Sequence, residues 1–118
     1  MSEVDSGGVP DAVTGFKKWD SGKAPLSWLP KDFLHQTASV MAYGARKYDR
    51  GNWRRGCDWM RYTDAAMRHI VAWCDGEDND PESGLNHLAH ASCCLAFLIT
   101  MQSECFGVDD RPKSSLED

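Results

Sequence analysis

No C-x-x-C pair occurs in this chain, and its five cysteines (Cys57, Cys74, Cys93, Cys94, Cys105) are an odd number. Zinc-finger spacing is therefore absent. Cys93 and Cys94 stand together inside an apolar run and read as small core residues. No apolar stretch reaches the roughly 18–20 residues that a bilayer span needs, so no membrane association is expected. No segment sustains period-two alternation, which argues against a sheet, and no internal repeat is visible. Positive charge is also short: 13 Lys and Arg against 18 Asp and Glu give a net charge of −5. That balance disfavours non-specific duplex binding, and no stable nucleic-acid complex is expected. The first fifteen residues are acidic and glycine-rich, unlike a secretory leader, so the expected location is the cytoplasm with its thiols reduced.

What is present is a chain of 118 residues with 42% apolar content, suited to one globular domain with a modest core. Residues 1–22 lack periodicity and read as a flexible arm, 23–106 as the helical domain, and 107–118 as a polar tail. Three helical patterns fill the middle, so the expected fold is all-α, a small bundle of three main helices. The first starts after Leu29-Pro30, with Phe33, Leu34, Val40, Met41, Ala45 and Tyr48 on one stripe. The second runs from an N-cap at Asp58 to Cys74, where Gly76 stops it. The third starts near Asp80-Pro81 or Ser83, with Asp80 as N-cap, and continues to about Glu104. From Leu88 to Met101 it is apolar nearly all round, which predicts a central helix partly covered by a second subunit, as a dimer or tetramer.

The densest chemistry lies in DGEDNDPESGLNHLAH, residues 75–90, where five carboxylates in eight positions precede two histidines. His87 and His90 are an i, i+3 pair, the helical spacing that lets two side chains reach a common point. Oxygen and imidazole donors together suggest a divalent cation. An EF-hand frame fails for want of glycine at its sixth and glutamate at its twelfth position. Glu82, His87 and His90 are the leading ligands, helped by Asp64, Asp80 or Glu77, with Glu82 or Glu77 as acceptor of a proton from the attacking water. Asp64 otherwise reads as an exposed i, i+4 partner of Arg68. His69 falls about 140° from Asp64 around its helix; it is expected to touch Tyr62 or Trp73, or to orient a ligand from behind.

A basic counterpart lies in ARKYDRGNWRRG, residues 45–56, where Arg46, Lys47, Arg50, Arg54 and Arg55 interleave with Tyr48 and Trp53. Cations suit phosphates and a ring suits a base, while Asn52 could read a base edge. Lys23, in GKAPLSWLP, is a further phosphate candidate. The two loops flank opposite ends of the second helix, about 25 Å apart at 1.5 Å per residue. That separation predicts a composite site between subunits of an antiparallel dimer.

GARKYDRGNWRRG and MRHIVAWCDGEDNDPESGLNHLAHASCCLAFLI resemble the phage dATP/dGTP diphosphohydrolase family, which is associated with MazG-like all-α nucleoside triphosphate pyrophosphohydrolases. The resemblance covers about residues 22–102. Lys47, Tyr48, Asn52 and Trp53 match the loop motif, and His69, Glu77, Asp80, Glu82, His87 and His90 the later one. It implies hydrolysis of a purine deoxynucleoside triphosphate, dATP or dGTP, to monophosphate and pyrophosphate with Mg²⁺ or Mn²⁺. The broader MazG-like signature uses an ExxE and an ExxD pair; here HLAH stands where the second pair would be, and its softer imidazoles admit Co²⁺ or Zn²⁺ as well.

Overall fold

The computed structural model describes residues 14–19 and 21–113; residues 1–13 and 20 of the expected arm, and 114–118 of the expected tail, lie outside it. The chain forms two units, Met1–Pro30 and Lys31–Asp118. In the first, Leu26–Trp28 make one 3-10 turn, and Leu26 and Trp28 are exposed.

The second unit contains the three expected helices: α1 (Lys31–Lys47), α2 (Trp59–Cys74) and α3 (His87–Glu104). α1 begins directly after Pro30, with Asp32 in its first turn and Arg46 and Lys47 in its last, matching both ends of the helix dipole. α2 ends where Gly76 takes φ +101°, a conformation open to glycine at little steric cost. Asp58 occupies the N-cap position of α2 without a side-chain capping bond. That role passes to Asp110, whose Oδ1 accepts from Met60 N at 2.9 Å. Residues 106–110 form a strap at this end: Trp59 N donates to Val108 O, Val108 N to Cys57 O, and the Trp59 indole N–H to Phe106 O. Gly107 permits the crossing, with φ +80° and its backbone against Cys57 O.

α3 starts four to seven residues later than the sequence suggested. Asn86, not Asp80, is its N-cap, accepting from Leu88 N at 2.8 Å. Residues 80–85 instead fold into a tight turn: Asp80 N donates to Leu85 O, Gly84 N donates to Asp80 O, and Gly84 takes φ +73°. A left-handed residue cannot continue a helix, so the carboxylate of Asp80 caps this turn by accepting from Ser83 N at 2.9 Å.

Both other helices pack on α3, whereas α1 and α2 form no comparable interface with each other. Val40, Ala89 and Cys93 join α1 to α3, supported by Leu85 and Phe97. Ala66, Ala91 and Cys94 join α2 to α3, supported by Tyr62 and Ala65. Small side chains at both seams let the backbones approach closely. Cys93 and Cys94 are core residues, as expected. Isolated bridges at Asp58–Val108 and Asn79–Asn86 are the β features among the described residues, so the fold is all-α. No helix among them is long and apolar enough to cross a membrane.

Two glycine substitutions should act with opposite sign. A Cβ at Gly107 would lie 2.7 Å from Cys57 O at a left-handed φ, so Gly107→Ala should destabilise by at least about 1–3 kcal/mol. Gly44, inside α1, has nothing within 4 Å of its Cβ position, so Gly44→Ala should stabilise by about 0.8–1 kcal/mol. Urea denaturation midpoints of both variants check the pair.

Candidate functional site

The 80–85 turn and the two helices beside it bring three imidazoles together. α2 carries His69, the first turn of α3 carries His87 and His90, and the two helices run side by side. His69 Nδ1 lies 2.9 Å from His87 Nδ1, and its ring stacks on His90 with centroids 4.5 Å apart and planes 11° apart. His90 Nε2 is 2.7 Å from Ser83 Oγ, whose oxygen also accepts from Leu85 N. His87 is only 3% exposed, and its Nε2 meets Glu77 Oε1 at 2.7 Å. The backbone fixes this ring too, since His87 N donates to Asp78 O.

Asp80 completes the group. One donor atom from each of His69, Asp80 and His87 falls within 4.8 Å of the others. Burial lowers the pKa of His69, and the neighbouring His90 adds to it; burial is also the leading cause of the downward shift at His90. Burial works against ionisation of Asp80, yet hydrogen bonds from Ser83 and the nearby His90 and His69 outweigh it and hold its pKa low. A His69 imidazole favoured in its neutral form beside a carboxylate favoured in its charged form suits a divalent cation.

A cavity of about 1120 Å³ opens between α1 and α2, with His90, Cys93, Cys94 and Phe97 of α3 on its lining. His69, Asp80 and Glu82 line it together with Lys47, Tyr48, Asn52 and Trp53. Glu82 Oε2 accepts from Lys47 Nζ at 2.7 Å and from Tyr43 Oη at 2.8 Å. These bonds, from Lys47 first, hold the Glu82 pKa low, while the same carboxylate raises those of Lys47 and Tyr43. The basic and acidic loops therefore meet within one chain. The expected separation of about 25 Å followed α2 from end to end; α1 packs on α3 and returns Lys47 to the acidic loop, removing the reason for a site shared between subunits.

The other expected residues are distributed as follows. Trp53 stacks on Phe97 with centroids 4.5 Å apart, and the Arg54 guanidinium lies 4.3 Å from its ring centre. Asn52 Oδ1 accepts from Arg55, which also pairs with Asp49 at 3.4 Å. Tyr48 leaves 63% of its surface exposed, with Lys47 Nζ 5.4 Å from its ring. Arg46 is exposed outside the cavity lining, and Lys23 is exposed in the first unit. Asp64 lines a separate groove with Met67, Arg68, Val71, Ala72 and Asp75. Glu77 is bonded to His87 rather than to Lys47 or Tyr43.

Three contributors escaped the sequence reading. Tyr43 precedes Lys47 by four residues, so helical spacing was a usable signal that both face Glu82. Ser83 and the packing of Tyr62 on Phe97, with centroids 5.2 Å apart, depend on tertiary contacts that spacing does not encode.

Comparison with known proteins agrees with the resemblance in the motifs. Over 99 residues the chain is 40% identical to a dATP/dGTP diphosphohydrolase of Salmonella phage PMBT28. The match takes in 84% of this chain but 33% of that protein, so the chain spans about a third of its relative's length. No solved structure matches. Residues 14–111 match the family described as dATP/dGTP diphosphohydrolase, N-terminal, and the chain belongs to that family.

Proposed function

We propose that this chain hydrolyses purine deoxynucleoside triphosphates, dATP and dGTP, to the monophosphate and pyrophosphate with the aid of a divalent cation. One observation carries the reading: a single cavity is lined by His69 and Asp80, from the cation-type donor group, and by Lys47, Tyr48 and Glu82. His69, Asp80 and His87 are the proposed cation ligands, in place of the Glu82, His87 and His90 set favoured by spacing. When bound, the cation neutralises phosphate oxygens and lowers the pKa of a coordinated water. Two imidazoles and one carboxylate accept Mn²⁺, Co²⁺ or Zn²⁺ more readily than an all-oxygen set would, alongside Mg²⁺.

The chain's own residues divide the remaining work. Lys47 exchanges Glu82 for the triphosphate, and Tyr43 Oη can donate to the same anion. Losing both partners leaves Glu82 Oε2 free to accept the proton of the attacking water, as water adds to the α-phosphorus and pyrophosphate leaves. Tyr48 is the aromatic face most open to a purine, since Trp53 already stacks on Phe97. The same cavity in a chain spanning a third of its relative also suits a second reading, nucleotide binding without turnover.

Incubation with dGTP or dATP plus Mg²⁺ or Mn²⁺, followed by mass detection of products, separates the two. Monophosphate and pyrophosphate are expected, with Glu82→Gln lowering kcat by about 10²–10⁴-fold and Lys47→Met chiefly raising KM. Intact nucleotide in a sample that binds it would overturn hydrolysis and leave sequestration.

The assembly expected from the apolar third helix receives a surface under the same proposal. Leu88, Leu95 and Ile99 are 38%, 48% and 66% exposed and recur at spacings of seven and four along the uncharged back of α3. Such a seam is complementary to its own copy, so a second chain is the proposed occupant. Sedimentation of the wild type as a dimer or larger, and of Leu95→Glu as a monomer, is expected; a monomeric wild type overturns it.

A further inference from the structure

Glu77 is a carboxylate that the hydrolysis scheme above leaves without a task, and its side chain is bonded to His87, one of the proposed cation ligands. His87 is 3% exposed, whereas the Glu77 side chain is 52% exposed and meets it from the loop following α2. Their contact, Nε2 to Oε1 at 2.7 Å, has only one polarity when the carboxylate is ionised, because a carboxylate solely accepts. When the ring is neutral its single proton then sits on Nε2, which leaves the Nδ1 lone pair directed at His69 Nδ1, 2.9 Å away. Without metal that second contact is satisfied when His69 Nδ1 donates, and a cation at His87 Nδ1 would take the place of this hydrogen bond. One carboxylate at the loop thus determines which nitrogen of a buried ring is available within the donor group of His69, Asp80 and His87.

We infer that Glu77 is a positioning residue: it fixes His87 in the tautomer whose Nδ1 lone pair faces the donor group, and so prepares that nitrogen to bind a divalent cation. The inference rests on the cation reading given above. It also assigns the two glutamates of the acidic loop separate work, since Glu77 touches neither Lys47 nor Tyr43 among its hydrogen-bond partners while Glu82 holds both. Outer carboxylates of this kind orient a ligating imidazole and raise its basicity, and their loss typically weakens metal affinity by 10–100-fold.

The backbone at Glu77 is held independently of its side chain, by its N–H donating to Ala72 O at 3.1 Å. Replacing the side chain should therefore leave the loop in place. The test uses the full chain as wild type, Glu77→Ala and Glu77→Gln. Long-range ¹H–¹⁵N spectra of the metal-free protein report the His87 tautomer, and calorimetry with Mn²⁺ reports affinity. The wild type should show Nε2–H at His87. Glu77→Ala should lose that single tautomer and bind Mn²⁺ about 10–100-fold more weakly. Glu77→Gln keeps an accepting oxygen and should restore both. A Glu77→Ala protein with unchanged tautomer and unchanged Mn²⁺ affinity overturns the inference, as does a Glu77→Gln protein as impaired as Glu77→Ala. Failure of the wild type to bind Mn²⁺ would overturn the cation reading instead, and the tautomer spectra, recorded without metal, tell the two failures apart.

Discussion

α3 is the surface on which both remaining helices are built, and the site exists because each packs on it through its own seam, with no comparable interface between the two. Alanine and cysteine side chains at the two seams bring α1 and α2 close to α3. The space left between α1 and α2 is the cavity. Its chemistry follows from this arrangement. α2 contributes His69, α1 contributes Tyr43 and Lys47, and α3 contributes His90, while the 80–85 turn supplies Asp80 and Glu82 at the end where all three elements can be reached. A larger residue at Ala66 or Ala89 would wedge a seam apart and shift the groups on either side by amounts that hydrogen bonds of about 2.7–2.9 Å do not tolerate.

Charge within this frame is distributed with economy. Arg54 pairs with Glu104 and lies against Trp53, and Arg55 pairs with Asp49 and holds Asn52. Much of the basic loop therefore stabilises its own shape, and its aromatic Trp53 is part of the packing. Lys47 differs because its partner, Glu82, belongs to the acidic loop and not to the basic loop's own packing, and both line the cavity. An exposed ion pair contributes little to stability, so a polyanion can take the lysine with little loss to the fold.

Helix positions were legible in the sequence because capping and stop signals are local: Pro30 ahead of α1, Asp58 ahead of α2, Gly76 behind it. The start of α3 was not, since the Asp80-Pro81 signal belonged to a turn closed by Gly84, and Asn86 was the stronger cap. The candidate site was legible as composition, with its acids, imidazoles and basic-aromatic loop all recognisable. Its connectivity was not. Distance along α2 placed the two loops far apart, because the return of α1 across α3 is a tertiary fact. His69 was expected to touch Tyr62 or Trp73, or to orient a ligand from behind, for the same reason: helical wheels relate residues of one helix, and its partners are on another.

The two glutamates of the acidic loop illustrate how burial sorts residues of one type. Their side chains are similarly exposed, 52% for Glu77 and 63% for Glu82. Their partners are not. Glu82 binds the ammonium of a lysine that is itself 40% exposed, so water and anions can compete for that ammonium. Glu77 binds an imidazole that is 3% exposed and held again by His69 and by its own backbone. Releasing Glu77 would leave a buried polar nitrogen unpaired, a cost that releasing Glu82 does not incur. Which carboxylate can change partners when a triphosphate arrives is therefore set by the burial of the group it holds, and that favours Glu82 for moving a proton and Glu77 for keeping a ring still.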